Sequence, residues 1–229
     1  MTPQTLASLL AAREAGQAVV LATRLGDGHQ ILLPREDASP DVQAAAALAL
    51  GRDESRTVEL GDDSWFLHVH APAFRLIVVG AVHIAQALAP LAATLGYAVT
   101  IVDPRRSFAT AERFPGVSLL HDWPDTALDS LRPDARTGIV TLTHDPKLDD
   151  PALDRALRSE ALFIGALGSR KTHAARLERL GALGHSAADL ARIRGPVGLA
   201  LGAVSAPEIA LSIVAELVAT RRGAALGQR

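Results

Sequence analysis

Two short, mostly branched apolar runs, residues 76–79 and 98–102, flank one helical stretch, and this arrangement constrains the chain more than any other feature. Runs of this length and composition are what strands buried on both faces require. Between them, residues 83–95 repeat Ile84, Leu88, Leu91 and Leu95 at helical spacing, and Gly96 is placed to end that helix. The second run leads into Asp103, 23 positions after Gly80. Strand, glycine turn, helix, strand and terminal acid form the layout of a dinucleotide-binding βαβ unit, whose acid reaches a ribose hydroxyl. Such a turn ordinarily carries Gly-x-Gly, so that the backbone can touch a diphosphate. Here Val82 holds the second glycine's place. Its branched side chain predicts crowding, so the pattern supports the fold more strongly than it supports NAD(P).

Past residue 73 the pattern alternates. Strands are expected at 75–79, 98–102, 117–120, 138–143 and 162–166, giving an α/β, Rossmann-like doubly wound parallel sheet. Asp150-Pro151 reads as a cap followed by first-turn proline, opening one helix. Ser205 and Glu208 read as a capping box for the last helix, which aligns Ile209, Ile213 and Leu217 on one side. Residues 1–72 read as a small α+β domain, and 73–229 as the main one. The small domain has a first helix bearing Leu6, Leu9 and Leu10, then a hairpin of 18–23 with 30–33. An alanine-rich helix over 41–50 and a strand over 65–69 complete it, and Ala71-Pro72-Ala73 marks the boundary. Hydrophobic residues make up 48% and aromatics 3%, so Leu, Val, Ile and Ala must fill the core.

A net charge of −2 argues against nucleic acid or an anionic membrane surface as a general partner. No long uncharged apolar run or export signal is evident, so no membrane span and a cytoplasmic location are expected. The absence of cysteine excludes disulfides, cysteine-held metal and a thiol nucleophile.

Ligands of doubly wound sheets bind beyond the carboxyl ends of the strands, where strand order reverses. Right-handed crossovers make the domain's first and fourth strands neighbours there. Gly80-Ala-Val-His83 and Thr143-His-Asp-Pro-Lys147 are thus expected to face one crevice, bringing His83 towards His144. The fifth strand runs into Gly168, Ser169 and Arg170 ahead of a helix starting near Thr172, a cradle for an oxyanion or phosphate. Structural alternatives stand beside each assignment. His83 can pack or cap the helix start, Asp145 can bond its own backbone before Pro146, and Ser169 can cap its helix. Arg105 and Arg106 either accept a phosphate beyond Asp103 or form a solvated pair. His68 and His70 share a strand face, but no third metal ligand is near. General-base chemistry at His144 is open. No nucleophile accompanies it, because Gly168-Ser-Arg170 does not complete Gly-x-Ser-x-Gly, and no catalytic residue is assigned.

Several segments carry a family resemblance together. They are Leu76-Ile-Val-Val-Gly-Ala-Val-His-Ile-Ala85, Tyr97-Ala-Val-Thr-Ile-Val-Asp-Pro-Arg105, Arg113-Phe-Pro115 and Leu142-Thr-His-Asp-Pro-Lys-Leu-Asp149. Phe163-Ile-Gly-Ala-Leu-Gly-Ser-Arg170, Arg194-Gly-Pro-Val-Gly-Leu-Ala-Leu-Gly-Ala203 and Ala206-Pro-Glu-Ile-Ala-Leu-Ser-Ile-Val-Ala-Glu216 complete the set. In this order and spacing they resemble the XdhC/CoxI family, accessory proteins that help mature molybdenum hydroxylases such as xanthine and carbon monoxide dehydrogenases. The resemblance implies a cytoplasmic maturation chaperone rather than a turnover enzyme. Such a protein binds molybdenum cofactor (molybdopterin or its dinucleotide form), assists its sulfuration, and passes it to an apo-hydroxylase.

A sulfurtransferase is an implied partner, as is a second copy or a paralogue. The implied site residues are Gly80, His83, Asp103, Arg105, His144, Asp145, Gly168, Ser169 and Arg170. Of these, Gly168, Ser169 and Arg170 would hold the anion, with His144 and Asp145 nearer the pterin or metal end. The chain departs from the family's Gly-Ala-Gly-His turn at Val82 and lacks its glycine- and cysteine-bearing N-terminal segments. A persulfide must therefore reside on a partner. An NAD(P)-linked oxidoreductase and a ligand-free scaffold are the rival functions.

Overall fold

The computed structural model describes residues 1–224, which divide into two compact units, Met1–Pro72 and residues 73–224. In the first unit, α1 (Pro3–Glu14) starts from Thr2, whose hydroxyl accepts the Thr5 N–H at 3.1 Å. β1 (Val19–Arg24) and β2 (Gln30–Leu33) form the expected antiparallel hairpin. Then follow α2 (Pro40–Arg52), β3 (Arg56–Leu60) and β4 (Asp63–His70). The sheet order is β2-β1-β4-β3. Helix α2 buries Val42, Ala46 and Ala49 in a core with Val20, Ala22, Trp65 and Leu67. β3 was not expected from sequence. It is an edge strand whose residues alternate half-buried and exposed, with Arg56 and Glu59 among them, so its apolar signal is weak.

The second unit begins with β5 (Arg75–Val79), α3 (His83–Thr94), β6 (Ala98–Val102), β7 (Ser118–Leu120) and α4 (Pro124–Leu131). It continues through β8 (Thr137–Thr141), α5 (Pro146–Leu157), β9 (Phe163–Ala166), α6 (Arg170–Ala182) and α7 (Ala187–Leu190). β10 (Ile193–Arg194) and α8 (Ala206–Arg222) complete it. Among the described residues, six strands pair in parallel in the order β10-β9-β8-β5-β6-β7. Alternation along β5 separates two cores. Leu76 and Val78 face a cluster with Leu88 of α3 and Ile213 and Leu217 of α8. Ile77 and Val79 face Leu128, Leu153 and Leu157 of α4 and α5. Both faces are therefore dry, which accounts for the uninterrupted apolar runs.

One expected helix start is corrected. Asp150-Pro151 lies inside α5, which opens four residues earlier at Pro146. Asp145 is the cap, its carboxylate accepting the Lys147 N–H at 2.9 Å. Both sites show the acid–proline signature, and the first captures the helix start because β8 ends at Thr141. The capping box of Ser205 and Glu208 forms as expected. The two-residue β10 was missed, being too short to carry a period.

Close packing at β9 gives a stability prediction. A Cβ on Gly165 would lie 2.5 Å from Val197 Cγ2 and 2.9 Å from Phe163 Cε1. Gly165→Ala should destabilise the protein by about 1–3 kcal/mol through overpacking. In urea unfolding the midpoint should fall with the slope unchanged, and an unmoved midpoint would show that this strand edge has slack.

Candidate functional site

The loops at the carboxyl ends of β5, β8 and β9 meet above the sheet, and two buried carboxylates accept hydrogen bonds from them. Asp103, at the end of β6, has no solvent exposure. Its Oδ2 accepts the Ala81 N–H at 2.8 Å and Arg105 Nη2 at 2.7 Å. Its Oδ1 accepts the Arg105 N–H and Nε, both at 2.9 Å. All four lone-pair positions are thereby used. Burial alone would push this carboxyl up; the Arg105 guanidinium, with the Ala81 and Arg105 amides, outweighs it and holds the group below the ordinary range. Asp103 therefore clamps the β5–α3 turn to the segment after β6, with no acceptor to spare for a ribose diol. Arg113 fixes the same turn from the other side, donating to the Ala81 carbonyl at 2.9 Å and to Gln86 Oε1 at 3.0 Å.

Gly80 has a φ of +110°, and a Cβ there would stand 2.6 Å from Thr143 Cγ2. The first and fourth loops of the domain are therefore in direct contact, as their neighbouring strands require. Beside this contact opens a shallow cleft of about 270 Å³ lined by Ile84, His144, Leu167, Gly168, Ser169, Thr172 and Ile209. Ligand pockets span roughly 300–1,000 Å³, so this one suits a single group of a guest rather than a whole dinucleotide. Ile84, Leu167 and Ile209 make its apolar part; His144, Ser169 and Thr172 make its polar part. Ser169 caps α6, its hydroxyl accepting the Thr172 N–H at 3.1 Å. The amides of Arg170 and Lys171 have no acceptor within the helix and belong to its positive end. His144 sits in the left-handed region at φ +61°, an uncommon conformation for a residue with a side chain.

The second buried carboxylate is Asp149 on α5, 1% exposed, facing Arg176 on α6, 2% exposed. Arg176 Nη2 lies 3.5 Å from Asp149 Oδ2, an ion contact too long for a well-made hydrogen bond. Burial pushes the Asp149 carboxyl up, outweighing the Thr143 hydrogen bond and Arg176. Sequence reasoning missed this pair, although a signal existed. Asp149 shares the apolar stripe of Ala152, Leu153 and Ala156, and Arg176 precedes buried Leu180 by one helical turn.

The structure brings His144, Gly168 and Ser169 to one cleft. His83 is exposed, and its neighbour Ile84 supplies the lining residue. Asp145 is engaged as the α5 cap, Arg105 is locked on Asp103, and Arg106 and Arg170 are exposed. In the first unit, the His68 and His70 rings lie 4.1 Å apart. Among the described residues no group of three or more His, Cys, Asp or Glu is placed to hold a metal ion. A groove of about 690 Å³ in the first unit has Glu36 and Asp37 as its charged residues and offers an anion no cation. No helix among the described residues is long and apolar enough to cross a membrane.

Parallel strands in this order, with a loop-built cleft at their carboxyl ends, define a Rossmann-type domain. The chain belongs to the XdhC family: the family described as the XdhC Rossmann domain matches residues 76–217. Three relatives can be compared. The uncharacterized protein YqeB of Escherichia coli K12 is 33% identical over 72% of this chain and 30% of its own length. The molybdenum cofactor insertion chaperone PaoD of the same organism is 35% identical over 66% and 41%. A probable xanthine dehydrogenase subunit of Bacillus subtilis 168 is 32% identical over 70% and 47%. The chain thus spans less than half the length of each. A crystal structure titled as a xanthine dehydrogenase from Bacillus halodurans superposes with a TM-score of 0.74 at 22% identity. It covers 96% of this chain and 67% of that one, a likeness of fold.

The Asp103 clamp carries a signed pH dependence. A depressed carboxyl contributes stability that is complete above the ordinary range, roughly pH 4, and is lost as pH falls through the lowered value. Arg105→Ala should cost about 1–3 kcal/mol at neutral pH, less than for a fully buried pair because the Arg105 side chain is 38% exposed. The gap between wild type and variant should shrink in urea unfolding as pH is lowered below about 4. A gap independent of pH would mean that the ion pair is not what the substitution removes.

Proposed function

We propose that this protein is an accessory factor for a molybdenum hydroxylase, binding the phosphate-bearing end of molybdenum cofactor in the cleft beside His144 and Ser169. The observation carrying this function is the two-sided lining of that cleft. Ile84, Leu167 and Ile209 offer an apolar surface to a ring, while the capped start of α6 offers unpaired amides and positive potential to an anion. Arg170 and Lys171, exposed at the same helix end, supply cations. The residues present fit a group that is part ring and part phosphate. When bound, that group would bring its own metal and sulfur chemistry. This chain's residues orient one end of it.

The name of PaoD, a cofactor insertion chaperone, and that of the Bacillus subtilis relative, a probable xanthine dehydrogenase component, support delivery to a hydroxylase as the task. Because the sequence holds no cysteine, sulfur for the cofactor comes from a partner sulfurtransferase in this scheme. The rival nicotinamide enzyme lacks its ribose acceptor, because Asp103 is fully engaged.

The test is purification from a host that makes molybdenum cofactor, followed by release, oxidation and fluorescence measurement of the pterin. Wild type should carry pterin, and Arg170→Ala should hold it about tenfold less tightly, the loss of about 1.4 kcal/mol expected for one exposed charge-assisted bond. Protein free of pterin from such a host would overturn the proposal.

A further inference from the structure

Every well-made side-chain hydrogen bond of the buried Asp149–Arg176 pair goes to a loop of the cleft. Asp149 Oδ1 accepts the Thr143 hydroxyl at 2.7 Å, and the same hydroxyl accepts the Asp145 N–H at 3.0 Å. That turn brackets His144 and holds it at its left-handed φ. On the other side, Arg176 Nη2 donates to the carbonyl of Leu167 at 3.0 Å. Leu167 and the adjoining Gly168 line the cleft, and Arg176 Nη1 lies 3.9 Å from where a Gly168 Cβ would stand. The guanidinium therefore lies directly behind the glycine that begins the anion cradle. Meanwhile Asp149 Oδ2, Arg176 Nε and Arg176 Nη1 find no hydrogen-bond partner among the described residues.

A buried ion pair contributes to stability when its remaining donors and acceptors are satisfied. This pair leaves three such atoms unused and spends what it has on two loops. We infer that Asp149 and Arg176 are positioning residues that hold the His144 loop and the Gly168–Ser169 loop at the separation an anionic guest requires. Resting on the function proposed above, this makes the pair a brace that acts through the residues touching the guest. The guest class is a phosphate or phosphate ester, because α6 presents amides and cations to it. Neither Asp149 nor Arg176 need touch the guest.

The experiment compares wild type, Arg176→Lys and the double variant Asp149→Leu/Arg176→Met. The double variant replaces the pair with apolar side chains, an exchange that buried pairs commonly tolerate. It should melt close to wild type. Its amides at 143–145 and 167–169 should exchange hydrogen faster as a set, and its affinity for inorganic phosphate should fall at least tenfold. Arg176→Lys retains the charge but cannot reach both partners with a planar fork, so its phosphate affinity should fall between the two. A double variant that melts as wild type, protects both loops and binds phosphate unchanged would overturn the inference. If wild type binds no phosphate, the anion assignment under the proposed function fails. Exchange at the two loops still decides the brace: faster exchange supports it and unchanged exchange overturns it. If the double variant does not fold, Arg176→Lys decides, with unchanged affinity and exchange counting against the pair.

Discussion

A carboxylate cannot be taken out of water unless donors meet it, and Asp103 shows how much structure one such requirement fixes. Four donors converge on it, two from the Arg105 side chain and two from main-chain amides on either side of β6. The β5–α3 turn is thereby tied to the strand next door, and Arg113 secures the turn's carbonyl. With that turn immobile, Gly80 can take Thr143 against its bare Cα, and the fourth loop acquires a fixed neighbour. The clamp costs the chain a ribose-binding acid. A residue that ends the second strand of a nucleotide-binding unit, and elsewhere greets a ligand, has here turned inward.

The same layout explains what could be read from the amino-acid order and what could not. Strands buried on both faces leave an unmistakable run of branched residues, and β5, β6, β8 and β9 were placed within one or two residues for that reason. β3 and β10 had no such run, one being a half-wet edge and the other two residues long. Acid–proline dipeptides at Asp145 and Asp150 were locally equivalent; strand length decided between them, and that is a tertiary fact. That Ser169 and His144 share one cleft is legible in the sequence, because glycines and loop position point to both. Asp149 and Arg176 were passed over, since a charge on an apolar helix face declares its partner only when another helix is packed against it.

The two buried acids are tuned in opposite directions, and the contrast is instructive. Asp103 gathers enough donors to overcome its own burial. Asp149 does not, and burial prevails despite the guanidinium opposite. One carboxyl is a settled structural fastening. The other stays raised by its burial, with its Oδ1 bonded to the Thr143 hydroxyl of a cleft loop.

Contact between Gly80 and Thr143 has a consequence for where space is left above the sheet. It brings two loops together over the middle of the sheet, where nucleotide enzymes of this architecture hold a diphosphate between neighbouring loops. The hollow beside His144 lies to the side of that contact, bordered by Ile84 of α3, Thr172 of α6 and Ile209 of α8. A molecule bound there would rest against helix ends rather than between the two central loops.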